Sequence, residues 1–175
     1  MNNKSHSIAL LAILTSLALV LSIFDNLLSI AIPIPLPGFK IGIANIITLF
    51  LVIYFPLPQT LCVVVVRCFL SSLYSGGITV FLISLSGGIL SVLAMYLINY
   101  ILKENVSAIG VSVFGAAAHN LGQVLMVIVL LVSPGYIYYL PILLVLSVVT
   151  GFIIGVIGHN VYPRIITIIK KPEKG

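Results

Sequence analysis

The sequence predicts an all-α integral membrane protein, a single domain built as a bundle of six transmembrane helices. Three observations support this prediction: 61% of the 175 residues are hydrophobic, only 6% are charged, and the mean hydropathy is +1.33. No water-soluble domain of this length can bury so much apolar surface. The apolar runs have about the length needed to cross a bilayer as helices, and they lie at 8–24, 42–56, 58–74, 77–102, 109–133 and 138–161.

The basic residues predict the orientation of the bundle. With six crossings, both termini and the loop near residue 103 lie on one side, and that side holds Lys4, Lys103, Arg164, Lys170, Lys171 and Lys174. Because cytoplasmic loops carry the excess of lysine and arginine, we expect both termini in the cytoplasm and a multi-pass protein of the cell membrane. The net charge of +5 does not indicate a nucleic-acid partner. Attraction of the basic tail to anionic lipid explains the tail equally well and does not change the topology.

The segment 25–41 is predicted to be an outer, lid-like loop between the first two helices. Asp25 begins it, and alternating prolines stiffen its second half. Lys40 and Asn45 follow at the start of helix two, about one helical turn apart. Two interpretations of Lys40 stay open: a side chain that anchors the helix at the membrane surface, or part of a polar site beneath the loop.

Helix five carries the densest group of polar residues. His119 and Gln123 share a helical face, and Asn120 lies one position round. Ser84 and Ser86 are expected at a similar depth in helix four. These side chains either bond to neighbouring helices or line a ligand pocket. No Cys, Asp or Glu lies at ligand spacing from His119, so the sequence predicts neither a metal site nor a cofactor.

Two further features concern contacts with partners. Arg67 lies near the middle of helix three, and an arginine there must face protein, a polar cavity or another subunit, because it is costly in lipid. Ala12 and Ser16 form a pair of small residues four apart on helix one. Such a pair lets another helix approach closely, either within the bundle or from a second membrane protein.

Four motifs together resemble one family. They are PxPGxKxGxANxITL at 35–49, Arg67 in helix three, SLSGG at 84–88 and GAxxHNxGQ at 115–123. The chain resembles, over nearly its whole length, the small membrane proteins called heptaprenyl diphosphate synthase component I, or the Gx transporter family. That family is similar to the substrate-binding S components of energy-coupling factor (ECF) transporters. The resemblance implies six helices, a lid-like first outer loop and a docking motif on helix one at Ala12 and Ser16.

The synthase label does not imply catalysis by this chain. Prenyl diphosphate synthases hold Mg²⁺-diphosphate with aspartate-rich helices, because carboxylates suit a hard cation. The chain has three acidic residues, Asp25, Glu104 and Glu173, which lie far apart. No phosphate-binding loop is present either, so the protein is neither an enzyme of this kind nor its own ATPase.

The sequence therefore favours a substrate-binding membrane subunit of a small-molecule importer. Its partners would be an ECF transmembrane coupling protein and paired ATPases, and its ligand an isoprenoid or quinone precursor. The predicted ligand-binding side chains are Lys40, Asn45, Ser84, Ser86, His119, Asn120 and Gln123. Three alternatives stay open: a membrane partner of heptaprenyl diphosphate synthase in isoprenoid or menaquinone biosynthesis, a stand-alone secondary carrier, and a structural scaffold.

Overall fold

A computed structural model describes residues 3–30, 40–75, 77–102 and 106–170, and within these ranges it contains helices and no strands. The elements are, in order along the chain, α1 (Asn3–Ile30), α2 (Asn45–Tyr54), α3 (Leu57–Ser75), α4 (Gly77–Leu102), α5 (Ala108–Leu131), a 3₁₀ helix (Pro134–Tyr139) and α6 (Leu140–Lys170). The all-α prediction is confirmed.

Five of these helices are long and apolar enough to cross a membrane, which supports a multi-pass membrane protein. The exception among the six is α2, which has ten residues. Its length is about 15 Å, roughly half of the hydrocarbon core of a bilayer. The predicted run 42–56 is therefore only partly helical. Gly42 has a φ of +96°, a turn occupies residues 43 and 44, and Phe55 is extended, so the helix is shortened at both ends.

The first helix is longer than the predicted span 8–24, and this corrects the assignment of Asp25 to a loop. α1 continues to Ile30, and Asp25 lies inside it as a buried residue. The helix continues because Asp25 and Ser29 point inward to polar partners, whereas Phe24 and Leu27 are exposed on the apolar outer face. The middle of the predicted lid-like loop, 31–39, lies outside the described residues.

The short helix α2 is the centre of the bundle. It packs against α1, α3, α4, α5 and α6, so residues 48–52 are buried. Phe50 meets the ring of Tyr162 from α6 edge to face at 5.1 Å, and the hydroxyl of Tyr162 donates a hydrogen bond to the carbonyl of Ile46. The long helices form a series in which α1 packs on α3, α3 on α4, α4 on α5 and α5 on α6.

Glycines set the closest helix contacts. A Cβ at Gly151 of α6 would lie 2.7 Å from the Cα of Val113, and one at Gly122 of α5 would lie 2.8 Å from the carbonyl oxygen of Ser86. No side chain fits at these distances, so α4, α5 and α6 approach backbone to backbone. The last helix extends past the predicted end at residue 161, to Lys170.

Candidate functional site

Buried polar side chains from five helices meet around one small cavity. We call this set the polar cluster, and it comprises Asp25 of α1, Lys40 before α2, Asn45 of α2, Arg67 and Ser71 of α3, Ser84 of α4 and His119 of α5. The cavity has a volume of about 10 Å³, which is roughly the room that one water molecule needs. In a protein whose other buried surfaces are largely apolar, this concentration of polar groups marks the candidate site.

Helix α1 holds the chain segment that leads into α2. Both carboxylate oxygens of Asp25 accept a hydrogen bond from the backbone N–H of Gly42, at 2.9 and 3.1 Å. One turn later, Ser29 accepts from the N–H of Ile41 at 3.2 Å and donates to the carbonyl of Asp25 at 2.8 Å. At Gly42, a φ of +96° is strained for any residue with a side chain. These contacts fix the position of the adjacent Lys40.

Lys40 points into the protein and is only 5% exposed. Its Nζ donates a hydrogen bond of 3.1 Å to the hydroxyl of Ser71. Burial lowers the pKa of the Lys40 ammonium group below its ordinary value, because the charged form loses its water. Lys40 is therefore part of the polar cluster and not a side chain that reaches back to the membrane surface.

Arg67 is also enclosed by protein, with 4% of its surface exposed. Its charge attracts that of Asp25 and repels that of Lys40. Gly88 of α4 lies beside the guanidinium group, where a Cβ would be in ordinary van der Waals contact with Nη2 at 3.6 Å. The helix-three arginine thus faces a polar cavity between helices, which Asp25 and Lys40 also line.

Several atoms of the polar cluster have no hydrogen-bond partner among the described residues. They are both amide atoms of Asn45, the Nε of Arg67 and the hydroxyl of Ser84. His119 packs beside the backbone of Gly87, and neither ring nitrogen has a side-chain partner in the same set. A buried polar group left unpaired costs about 1–3 kcal/mol. The cavity is therefore lined by groups that are suited to bind something polar.

Three of the predicted ligand-binding residues do not line the cavity. Ser86 donates a 2.9 Å hydrogen bond to the carbonyl of Gly122, which links α4 to α5. Asn120 donates a 2.8 Å bond to the carbonyl of Leu143, which links α5 to α6. Gln123 is fully buried beside Gly87, and its amide atoms have no partner among the described residues. Of the predicted set, the structure brings together Lys40, Asn45, Ser84 and His119.

Sequence reasoning missed Asp25, Ser71 and Ser22 as members of the cavity wall. A signal for Asp25 was available: Ser22, Asp25 and Ser29 are spaced three and four apart, so they share one face of a helix. Asp25 is also the only acidic residue before position 104. A single carboxylate on the polar face of an apolar helix indicates an inward-facing position.

The predicted docking pair lies on the outer face of α1. Ala12 and Ser16 are both exposed, and the Ser16 hydroxyl donates to the carbonyl of Ala12 at 3.0 Å within the helix. Apolar side chains such as Ile13, Leu17 and Val20 share this exposed surface. The pair is therefore not used for packing between the described helices, and its surface is available to lipid or to another protein.

A second cavity lies where α2 and α4 end and α5 begins. Its volume is about 260 Å³, and Tyr54, Asn99, His159 and Tyr162 contribute polar atoms to its wall. No group of three or more His, Cys, Asp or Glu side chains within the described ranges could hold a metal ion, here or in the polar cluster.

The fold and the polar cluster define the class of protein: a multi-pass α-helical membrane protein with charged side chains buried between its helices. The chain belongs to the heptaprenyl diphosphate synthase component I family, whose family model matches residues 14–161. This confirms the family resemblance indicated by the motifs, whereas a likeness to ECF S components is not shown. No curated protein and no solved structure shows significant similarity to the chain.

Proposed function

We propose that the protein is a non-catalytic membrane component that binds a small amphipathic molecule of the isoprenoid type in the polar cluster. Its partner would be the catalytic subunit of a prenyl diphosphate synthase, as the family description suggests. In this role the chain would hold a precursor or product at the membrane, while a separate protein performs the condensation.

The observation that carries the proposal is the set of unpaired polar atoms around the cavity. Asn45 is 2% exposed, and its amide group has no partner among the described residues. The Nε of Arg67 and the hydroxyl of Ser84 also have no hydrogen-bond partner among the described residues. A cluster that served only to hold helices together would be expected to satisfy its own hydrogen bonds. A bound molecule with a polar head would supply the missing partners.

The small number of carboxylates supports a non-catalytic role. Condensation of prenyl diphosphates depends on Mg²⁺ held by several carboxylates, since hard cations prefer oxygen ligands. Of the three acidic residues in the chain, Asp25 alone lies in the described ranges, and its carboxylate already accepts from Gly42. We therefore assign the chemistry to the partner.

A second candidate function is the binding subunit of an ATP-driven importer. The exposed surface around Ala12 and Ser16 favours it, because small residues on an outer helix face suit close approach by a second membrane protein. The partners would then be a transmembrane coupling protein and paired ATPases. In either case we expect both termini in the cytoplasm.

Copurification from native membranes in mild detergent tests both functions. We expect mass spectrometry to detect a prenyl compound bound to the parent protein and to an Asn160→Ala control, but not to Asn45→Ala. Asn160 suits the control because it is exposed and bonds only to the carbonyl of Val156 in its own helix. A copurifying prenyl synthase supports the first function, and copurifying ATPases support the second. Equal retention of the compound by Asn45→Ala would remove the polar cluster from the proposal.

A further inference from the structure

The charges of the polar cluster do not balance. Lys40 and Arg67 are both at least 95% buried, and both interact electrostatically with Asp25. Asp25 is the single acidic residue in the described ranges, and the other two acidic residues of the chain are Glu104 and Glu173. With both basic groups protonated, one positive charge has no counter-charge in the cluster.

An unpaired buried charge is strongly unfavourable in a protein interior, and more so within a membrane. Two other titratable side chains, Cys68 and His119, line the same cavity. A histidine supplies no negative charge. The remaining ways to balance the cluster are a neutral Lys40, a thiolate at Cys68 or a bound anion.

We propose that the polar cluster binds a singly charged anionic group, a carboxylate or a comparable monoanion, and that Asp25 sets this charge selectivity. The inference rests on the proposed function, because it names the charge class of the molecule bound there. One negative charge neutralises the excess, whereas the two or three charges of a diphosphate would overcompensate it and repel Asp25.

The geometry fits a small anionic head. The amide of Asn45, the Nε of Arg67 and the hydroxyl of Ser84 are unpaired within the described residues, and each can donate a hydrogen bond. The cavity of about 10 Å³ has room for roughly one water, so the cluster has to open to admit the three heavy atoms of a carboxylate and would have to open further for a diphosphate.

The test compares three probes that share a 15-carbon prenyl chain and differ in the head: farnesol, farnesoate and farnesyl diphosphate. Binding to the purified protein in detergent is measured by calorimetry at pH 7.5. We expect farnesoate to bind at least tenfold more tightly than either other probe. Tightest binding of farnesyl diphosphate would overturn the inference and leave the proposed function standing. Failure of all three probes to bind would count against both.

Replacement of the carboxylate gives the sharper test. Asp25→Asn keeps an oxygen to accept from Gly42 but removes one negative charge, which raises the net charge of the cluster by one. We expect the affinity for farnesyl diphosphate, relative to that for farnesoate, to rise at least tenfold. Arg67→Gln should abolish the preference for farnesoate over farnesol, whereas the exposed Arg164→Gln should keep it. An unchanged order of affinities in Asp25→Asn would refute charge selection by this residue.

Two further measurements separate the sources of the charge. Cys68→Ala should retain the preference for farnesoate, and a preference that is absent from the parent and arises only in Cys68→Ala would show that a thiolate balances the cluster instead. Thermal stability measured in chloride, nitrate and gluconate solutions tests whether a small inorganic monoanion binds in the cluster, with the bulky gluconate as the comparison. If chloride stabilises the parent protein but not Arg67→Gln, and farnesoate competes with chloride, the site binds both inorganic monoanions and prenyl carboxylates. Equal affinity of the parent for farnesol and farnesoate would indicate a neutral Lys40 and overturn the inference.

Discussion

The carboxylate of Asp25 binds the backbone N–H of Gly42 with both oxygens, across 17 positions of sequence. This contact joins the inner face of α1 to the segment that places Lys40 and begins α2. It combines a structural role, since it pairs a buried backbone donor, with an electrostatic one, since the same carboxylate faces Lys40 and Arg67.

The first prediction follows from this double role. Asp25→Ala removes the acceptor for Gly42 and the only counter-charge of two buried cations, and losing one partner of a buried charged set costs about 3–5 kcal/mol. We expect a correspondingly large loss of stability, measured by unfolding in mixed detergent. The control is Asn26→Ala at the neighbouring, half-buried position of α1. Equal stability of the two variants would show that the Asp25 contact contributes little.

The second prediction concerns the backbone at Gly42. Gly42→Ala places a side chain at a φ of +96°, and its Cβ would lie 3.2 Å from the Nδ2 of Asn45. We expect a loss of about 1–2 kcal/mol from backbone strain, together with loss of ligand binding. Gly77→Ala is the matched control, because Gly77 has a φ of +74° and an added Cβ would meet no atom of the described residues within 4 Å. Gly77→Ala should lose similar stability and keep its affinity for the ligand. If both variants lose binding equally, the loss in Gly42→Ala does not come from its position next to the polar cluster.

Local patterns were enough to predict the helices and part of the site. The motifs around Ser84 and His119 contain the glycines that let α4 and α5 touch, so these two side chains could be expected to meet. The spacing of Ser22, Asp25 and Ser29 indicates that Asp25 faces inward, but its pairing with Gly42 could not be predicted, because Gly42 is remote in sequence and no local pattern records such a pairing. Asn120 does not line the cavity, because a rotation of about 100° from His119 turns it to α6, and the sequence does not say which helix lies there.

The third prediction concerns orientation. The distribution of basic residues favours both termini on the cytoplasmic side. In a background with Cys62→Ser and Cys68→Ala, we expect Tyr136→Cys to react with an impermeant thiol reagent in intact cells. Lys171→Cys should react only after the membrane is permeabilised. Labelling of both positions in intact cells would contradict the predicted orientation.

The last prediction separates residues that bind a ligand from residues that hold helices together. Asn45 is buried without a partner among the described residues, whereas the Nδ2 of Asn120 donates to the carbonyl of Leu143. Asn45→Leu replaces an unpaired amide by an apolar group of similar volume, so it should leave stability unchanged or raise it by about 1 kcal/mol. The same variant should lose binding of the prenyl probe at least tenfold.

Asn120→Leu is the matched variant and should behave in the opposite way. It removes the side-chain hydrogen bond that joins α5 to the carbonyl of Leu143 in α6, which should cost about 0.5–1.5 kcal/mol of stability. The affinity of the folded fraction should be unchanged, because Asn120 does not line the cavity. Thermal unfolding and calorimetry on the same preparations decide the matter. If Asn45→Leu is the less stable variant and binds the probe normally, the unpaired amide has a structural role and the polar cluster is not a binding site.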